Sequence, residues 1–346
     1  MKIVVNAKNG TREFACEAGG NVLHAGLGAG VPLPYECATG TCGTCKARLV
    51  SGRLETLWPE APGTKYFRGD GEVLTCQSVA RDDCVLETGV SLKTVEPPPL
   101  SPRPVTGVVL NLRRLTHDVI AFDVDLEDSL DFHAGQFALL TVPSIRGARA
   151  YSMVNYARDA RRLAFVVKKK PGGGVSEWLF AKDVTGTRLG LVGPLGHATF
   201  HADTPKHVLC IAGGSGIAGM MSILSLACEA AHFRAWDGHV FFGIRTVADT
   251  FFLDELEAFR ARFPDRLSIT IALSEDDVPA TLAGAYPRFA FGRGFVHAVA
   301  GEAMNGKFAG VRAYVAGPPP MVDASLRLLL REARLPPADI RYDKFS

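Results

Sequence analysis

From residue 106 to about 200, apolar positions come in short runs broken by turn residues. The runs at 106–110, 120–125, 136–142 and 163–168 are strand length, and one helical stretch interrupts at 176–181. Such spacing predicts a small antiparallel barrel. Beyond about 204 the rhythm changes. It reads strand 207–212, helix 216–230, strand 239–243, helix 254–262, strand 268–273, strand 313–316 and helix 321–333. Apolar runs alternating with helices predict a parallel α/β sheet covered on both faces. Ahead of the barrel, residues 97–104 hold five prolines. They cannot continue a helix or a central strand, so an extended linker is expected. The reading is a multidomain chain, α+β then α/β, divided into 1–95, a linker at 96–104, 105–203 and 204–346.

Composition adds limits. A length of 346 residues suits two or three domains, and 47% apolar with 21% charged residues excludes a disordered chain. The formal net charge of +2 gives no global pull toward nucleic acid or an acidic membrane. The first residues lack the apolar stretch of a signal peptide, and no run reaches the ~18 apolar residues of a spanning helix. A cytoplasmic protein without nucleic-acid or membrane partners is expected. Lys168-Lys169-Lys170 reads as a solvated turn.

Eight cysteines are too few for a disulfide scaffold, yet four fall in a pattern. Cys37, Cys42 and Cys45 are spaced C-x4-C-x2-C, and Cys76 follows much later. This is the plant-type [2Fe–2S] spacing, with two thiolates per iron. Gly40 and Gly43 let the loop adopt angles that a bulky residue could not. Zinc sites pair two short knuckles instead, and here Cys76 stands alone. Cys16, Cys84, Cys210 and Cys228 sit singly in apolar surroundings and read as packing residues.

On these residues the first 95 positions resemble plant-type ferredoxin domains, whose fold is a β-grasp. The stretch from Tyr35 to Gly63, through Leu57-Trp58-Pro59-Glu60-Ala61-Pro62, resembles the ferredoxin module of toluene and xylene monooxygenase reductases. Next, Arg149-Ala150-Tyr151-Ser152 matches R-x-Y-S, the flavin motif of the ferredoxin–NADP reductase superfamily. The resemblance implies an antiparallel barrel binding FAD. Arg149 would neutralise a pyrophosphate oxygen, Tyr151 would pack on the isoalloxazine, and Ser152 would set its hydroxyl beside N5. A Gly-rich turn, with Gly173, Gly174, Val175 and Ser176, opens a helix and offers N–H groups to a pyrophosphate. An ordinary turn N-capped by Ser176 is the alternative. Gly193-Pro194-Leu195-Gly196 resembles the turn that closes the barrel. Near the C-terminus, Phe345 is the candidate to cover the flavin face, with Tyr342 as the second choice, or else a strand residue filling core.

Gly213-Gly214-Ser215-Gly216 follows a strand and opens a helix, resembling the family's GG[TS]GIAP loop. Gly317-Pro318 lies in a segment resembling CGPPPMV. Both loops end parallel strands, where ligands of such sheets bind. Arg245 follows another strand and is a candidate for an adenosine ribose or phosphate, or for a surface salt bridge. Two residues depart from the family: Gly219 replaces its proline and Ala316 its cysteine.

The resemblance spans the whole chain. It implies an iron–sulfur flavoprotein oxidoreductase moving electrons from NADH through FAD to the [2Fe–2S] cluster. The recipient would be an oxygenase component or a separate ferredoxin in aromatic or hydrocarbon oxidation. The alternative is a redox-sensing regulator on the same scaffold, with impaired nucleotide use at Gly219 and Ala316. It would signal to a transcription factor.

Overall fold

The computed structural model describes residues 1–93 and 100–344. The chain forms two compact units. The first holds Met1–Thr106, Ala138–Ala150 and Gly190–Leu195, and the second holds Gly107–Phe137, Tyr151–Leu189 and Gly196–Ser346.

The N-terminal region has strands β1 (Lys2–Ala7), β2 (Gly10–Ala15), β3 (Lys46–Ser51), β4 (Leu54–Thr56), β5 (Glu72–Leu74), β6 (Ser78–Ala80) and β7 (Cys84–Glu87), with helix α1 (Val22–Gly28) after β2. The main sheet has the order β2-β1-β7-β3-β5, and β1 runs parallel to β7. A hairpin, a packed helix and a parallel central pair make the ferredoxin β-grasp. Ile3, Val22, Leu23 and Leu86 are fully buried and fill its core.

The barrel-like domain uses β8 (Arg103–Arg114), β9 (Val119–Leu130), β10 (Phe137–Thr141), β11 (Arg149–Ser152), β12 (Ala160–Lys168), α2 (Gly174–Ala181) and β13 (Arg188–Leu195). In the second unit β9 pairs antiparallel with both β8 and β12. In the first, β10 lies between β11 and β13. Strand β8 already contains Pro104, which the sequence reading assigned to the linker. Proline is tolerated at the start of a strand, where its missing N–H costs little. Gly193–Leu195 end β13 as strand, and only Gly196, at φ +102°, turns the chain.

The nucleotide-type domain has β14 (His207–Gly213), α3 (Ile217–Glu229), β15 (Gly238–Ile244), α4 (Leu253–Arg262), β16 (Leu267–Leu273), α5 (Ala280–Ala285), β17 (Ala290–Arg293), α6 (Val296–Ala303), β18 (Val311–Gly317), α7 (Pro319–Arg327) and β19 (Ile340–Lys344). Its sheet is parallel, in the order β17-β16-β15-β14-β18-β19. Alternate residues of β14 serve opposite faces. Val208, Cys210 and Ala212 join one core with Ile217 and Leu224 of α3, while Leu209 and Ile211 join another with Val296 of α6 and Val322 of α7. Burial on both faces explains the near-continuous apolar run of β14. The pattern did not predict α5, β17 or α6, which are short and rich in Ala and Gly. The predicted helix 321–333 begins at Pro319 and passes into a π-helical turn over Leu328–Glu332. No helix among the described residues is long and apolar enough to cross a membrane.

Candidate functional site

The cysteine loop runs between α1 and β3. Pairing of Lys46 with Leu74 in the β3–β5 register brings Cys45 beside Cys76, their sulfurs 3.2 Å apart. The Thr75 N–H and hydroxyl both donate to the Cys45 carbonyl at 3.1 Å. Asn21 N-caps α1 by accepting from the His24 N–H at 3.1 Å, and its amide donates to the Cys76 carbonyl at 2.8 Å. On the other side of the loop, the Cys37 sulfur accepts the N–H groups of Thr39 and Cys42, both at 3.4 Å. The Thr44 N–H donates to the Cys42 sulfur at 3.5 Å.

The four cysteines therefore stand two and two, Cys45 and Cys76 bonded sulfur to sulfur and the Cys37 sulfur bonded to the Cys42 N–H. A hydrogen bond from Cys42, with backbone donors, pulls Cys37 down to about 4, and the same bond with burial pushes Cys42 up. Cys45 is lowered by its bond with Cys76, and Cys76 is raised by that bond and by burial. Two sulfur pairs suit two tetrahedral irons, and the backbone N–H groups suit thiolate charge. The loop is tight enough to wrap such a group. Gly40 (φ +87°) would set a Cβ 2.9 Å from Gln77 Cγ, and Gly43 (φ +78°) would set one 2.4 Å from Tyr66 Cδ2. Only glycine fits either position. Cys37, Cys45 and Cys76 are buried and Cys42 is partly exposed. The other four cysteines are buried, and burial raises each thiol, Cys210 to about 12 and Cys228 to about 11. Asn21 and Thr75 escaped the sequence reading because their partners lie 55 and 30 residues away.

The flavin-type motif forms β11. Arg149 is half-buried, and its Nη1 donates to the Ala148 carbonyl at 3.0 Å. Tyr151 is half-buried and Ser152 is buried. A Cβ built on Gly219 would lie 3.7 Å from the Ser152 hydroxyl oxygen and 3.5 Å from the Gly135 carbonyl. Ser152 thus sits against the first turn of α3. The Gly-rich turn opens α2 at Gly174, N-capped by Gly173 without a side-chain cap. Ser176 is the third helical residue and not the cap. Its Oγ accepts from the Lys170 N–H at 3.0 Å and shares its proton between the carbonyls of Gly173 (3.0 Å) and Lys170 (3.3 Å). It fastens the turn that presents the Gly174 and Val175 N–H groups. Phe345 lies outside the described residues.

At the nucleotide-type sheet, β14 ends at Gly213, Gly214–Gly216 make one tight 3-10 turn that includes Ser215, and α3 begins at Ile217. Next to it, β18 ends at Gly317 and Pro318 caps α7. A Cβ at Gly216 would lie 2.3 Å from the Ala316 carbonyl oxygen, and one at Gly317 (φ +152°) only 3.1 Å from the Gly213 nitrogen. The two glycine loops meet backbone to backbone at the carboxyl ends of adjacent parallel strands. Ligands of such open sheets bind at strand ends of this kind, where a helix start offers N–H groups without a helical partner. Arg245 is half exposed and its Nη2 lies 3.8 Å from Asp118 and 3.7 Å from Asp249. Lys168, from the basic run, also pairs with Asp118, at 3.0 Å.

Residues 5–81 match the 2Fe-2S iron-sulfur cluster binding domain, 107–200 the oxidoreductase FAD-binding domain and 210–326 the oxidoreductase NAD-binding domain. The chain is 33% identical to the ferredoxin–NAD(P)+ reductase CarAd of Metapseudomonas resinovorans, covering 95% of this chain and 96% of that protein. It is 34% identical to the ferredoxin–NAD+ reductase component of the alkene monooxygenase system of Xanthobacter autotrophicus, covering 97% and 99%. Among solved structures, the ferredoxin reductase in carbazole 1,9a-dioxygenase superposes with a TM-score of 0.85 at 30% identity, covering 100% of this chain and 99% of that one. The Amycolatopsis cytochrome P450 reductase GcoB gives 0.80 at 28% identity, covering 99% and 98%.

Proposed function

The chain belongs to the ferredoxin–NAD(P)+ reductase components of oxygenase systems, and on that premise we propose how its own residues divide the work. It is an oxidoreductase with a 2Fe-2S domain, an FAD-binding domain and an NAD-binding domain. When bound, FAD would take up the two electrons of a hydride from the nicotinamide nucleotide and the [2Fe–2S] cluster would carry them on singly. The domain bounds are read as 1–95, 105–203 and 204–346.

Cys37 and Cys42 hold one iron, and Cys45 and Cys76 hold the other. Arg149 neutralises flavin pyrophosphate, with the N–H groups at Gly173–Ser176. Tyr151 packs against the flavin ring and Ser152 orients it. Gly213–Gly216, Gly317 and Pro318 receive the nicotinamide nucleotide, NADH in this reading. Arg245 stands near the adenosine end, held by Asp118 and Asp249. The recipient of electrons is an oxygenase component or a separate ferredoxin. Free thiols need a reducing compartment, which favours the cytoplasm.

The observation that carries this reading is the pairing of the four thiols, two and two, in a glycine-lined loop. A one-electron carrier built there needs a two-electron converter, and the rest of the chain is of that type. The regulatory reading finds no such support, because the two relatives named above are ferredoxin reductases. Replacing Cys42 with Ala tests the assignment. Flavin reduction by NADH should persist while electron delivery to cytochrome c stops. Undiminished delivery would overturn it.

A further inference from the structure

Arg146 lies three residues before Arg149, in the turn leading into β11. Gly147 between them has φ +79°, and a Cβ there would come within 3.3 Å of the Arg149 guanidinium. The turn is therefore tight. Within it Arg149 folds back on the Ala148 carbonyl.

Arg146 Nη2 donates to the Leu57 carbonyl at 2.5 Å. The Leu57 N–H in turn donates to the Gln77 carbonyl at 2.8 Å. Gln77 follows Cys76 directly, and its side-chain amide lies 3.8 Å from the Cys76 sulfur. Two hydrogen bonds and one peptide thus join the flavin-type motif's turn to a candidate cluster ligand, all within the first compact unit. Arg146 is exposed and reaches the segment through a backbone carbonyl, outside the buried core of the domain.

We propose that Arg146 is a positioning residue for internal electron transfer, fixing the segment through Leu57 and Gln77 so that Cys76 and Arg149, both in the first compact unit, keep one distance. This rests on the reductase reading. With both groups bound, the flavin and the cluster would supply the one-electron exchange, and Arg146 would act only on the spacing of the residues that hold them. No bond of the chain is made or broken.

The test compares the holoprotein with Arg146→Ala and Arg146→Lys after anaerobic rapid mixing with NADH. Arg146→Ala should bleach its flavin band at the unaltered rate, while cluster bleaching slows by about tenfold, as loosened positioning does. Arg146→Lys keeps a donor and should recover most of the rate. Independently of turnover, hydrogen exchange of the peptide containing Leu57 should quicken in Arg146→Ala. An unchanged cluster phase, or unchanged exchange at Leu57, overturns the proposal. Failure of NADH to bleach the wild-type flavin would instead count against the reductase reading, and the exchange measurement would still decide the role of Arg146.

Discussion

Gly216 and the Ala316 carbonyl stand so close that an added Cβ would come within 2.3 Å of that oxygen. The contact ties the turn that opens α3 to the last residues of β18. These two strand ends hold the backbone that would receive a nucleotide. A helix start can face a phosphate closely only where no side chain intervenes.

Gly216→Ala should therefore separate the loops. NADH-driven flavin reduction is expected to fall about 10²-fold, since misplacement of reacting groups is costly. Dithionite should still reduce both cofactors. Stopped-flow absorbance with each reductant checks this, and an unaltered NADH phase would show that the contact is dispensable.

Gly219 behaves oppositely. A Cβ there meets only ordinary contacts, the nearest at 3.5 Å. Gly219 is the third residue of α3, where the N–H lacks a partner within the helix. Gly219→Pro should be accommodated and should stabilise by about 0.4–1 kcal/mol through the unfolded chain. A thermal melt would read this as a small rise in Tm. A fall of many degrees would mean that α3 needs this glycine.

His24 gives the ferredoxin domain a pH dependence. Its Nε2 is buried without a hydrogen-bond partner, and burial lowers its pKa from 6.5 to about 4. The folded state keeps the ring neutral, while the unfolded chain takes up a proton below 6.5. Stability is complete above about pH 6.5 and declines as the pH falls toward about 4, by about 3 kcal/mol in all. Melts followed through the cluster absorbance at pH 7.5 and 5 should show this loss. About 2 kcal/mol of it falls between these two pH values, and in His24→Leu the loss between them should shrink by that amount. An equal loss in both proteins would contradict the assignment.

The sequence disclosed those features whose signal is local. The C-x4-C-x2-C spacing, the R-x-Y-S strand and the alternation along β14 each lie within about ten residues. What escaped depends on register and long-range contact. Nothing near Asn21 announces the Cys76 carbonyl, and nothing near Arg146 announces Leu57, 89 residues away. Ser176 looked like a cap from its type. The helix instead begins earlier, at Gly174, so the hydroxyl turns back to hold Lys170 and Gly173. The elements α5, β17 and α6 were missed because their short Ala- and Gly-rich segments carry little periodic signal. Their place is set by packing, with Val296 meeting Gly243 across β15.

The central claim is that one chain takes electrons from a nicotinamide nucleotide and passes them internally to a [2Fe–2S] cluster. An anaerobic titration of the purified protein with NADH, then NADPH, followed by visible absorbance, tests it most directly. NADH is expected to bleach the flavin bands and then the cluster bands, despite Gly219 and Ala316. If dithionite bleaches both and neither nucleotide bleaches either, the nicotinamide half does not feed the flavin, and the account fails at its first step.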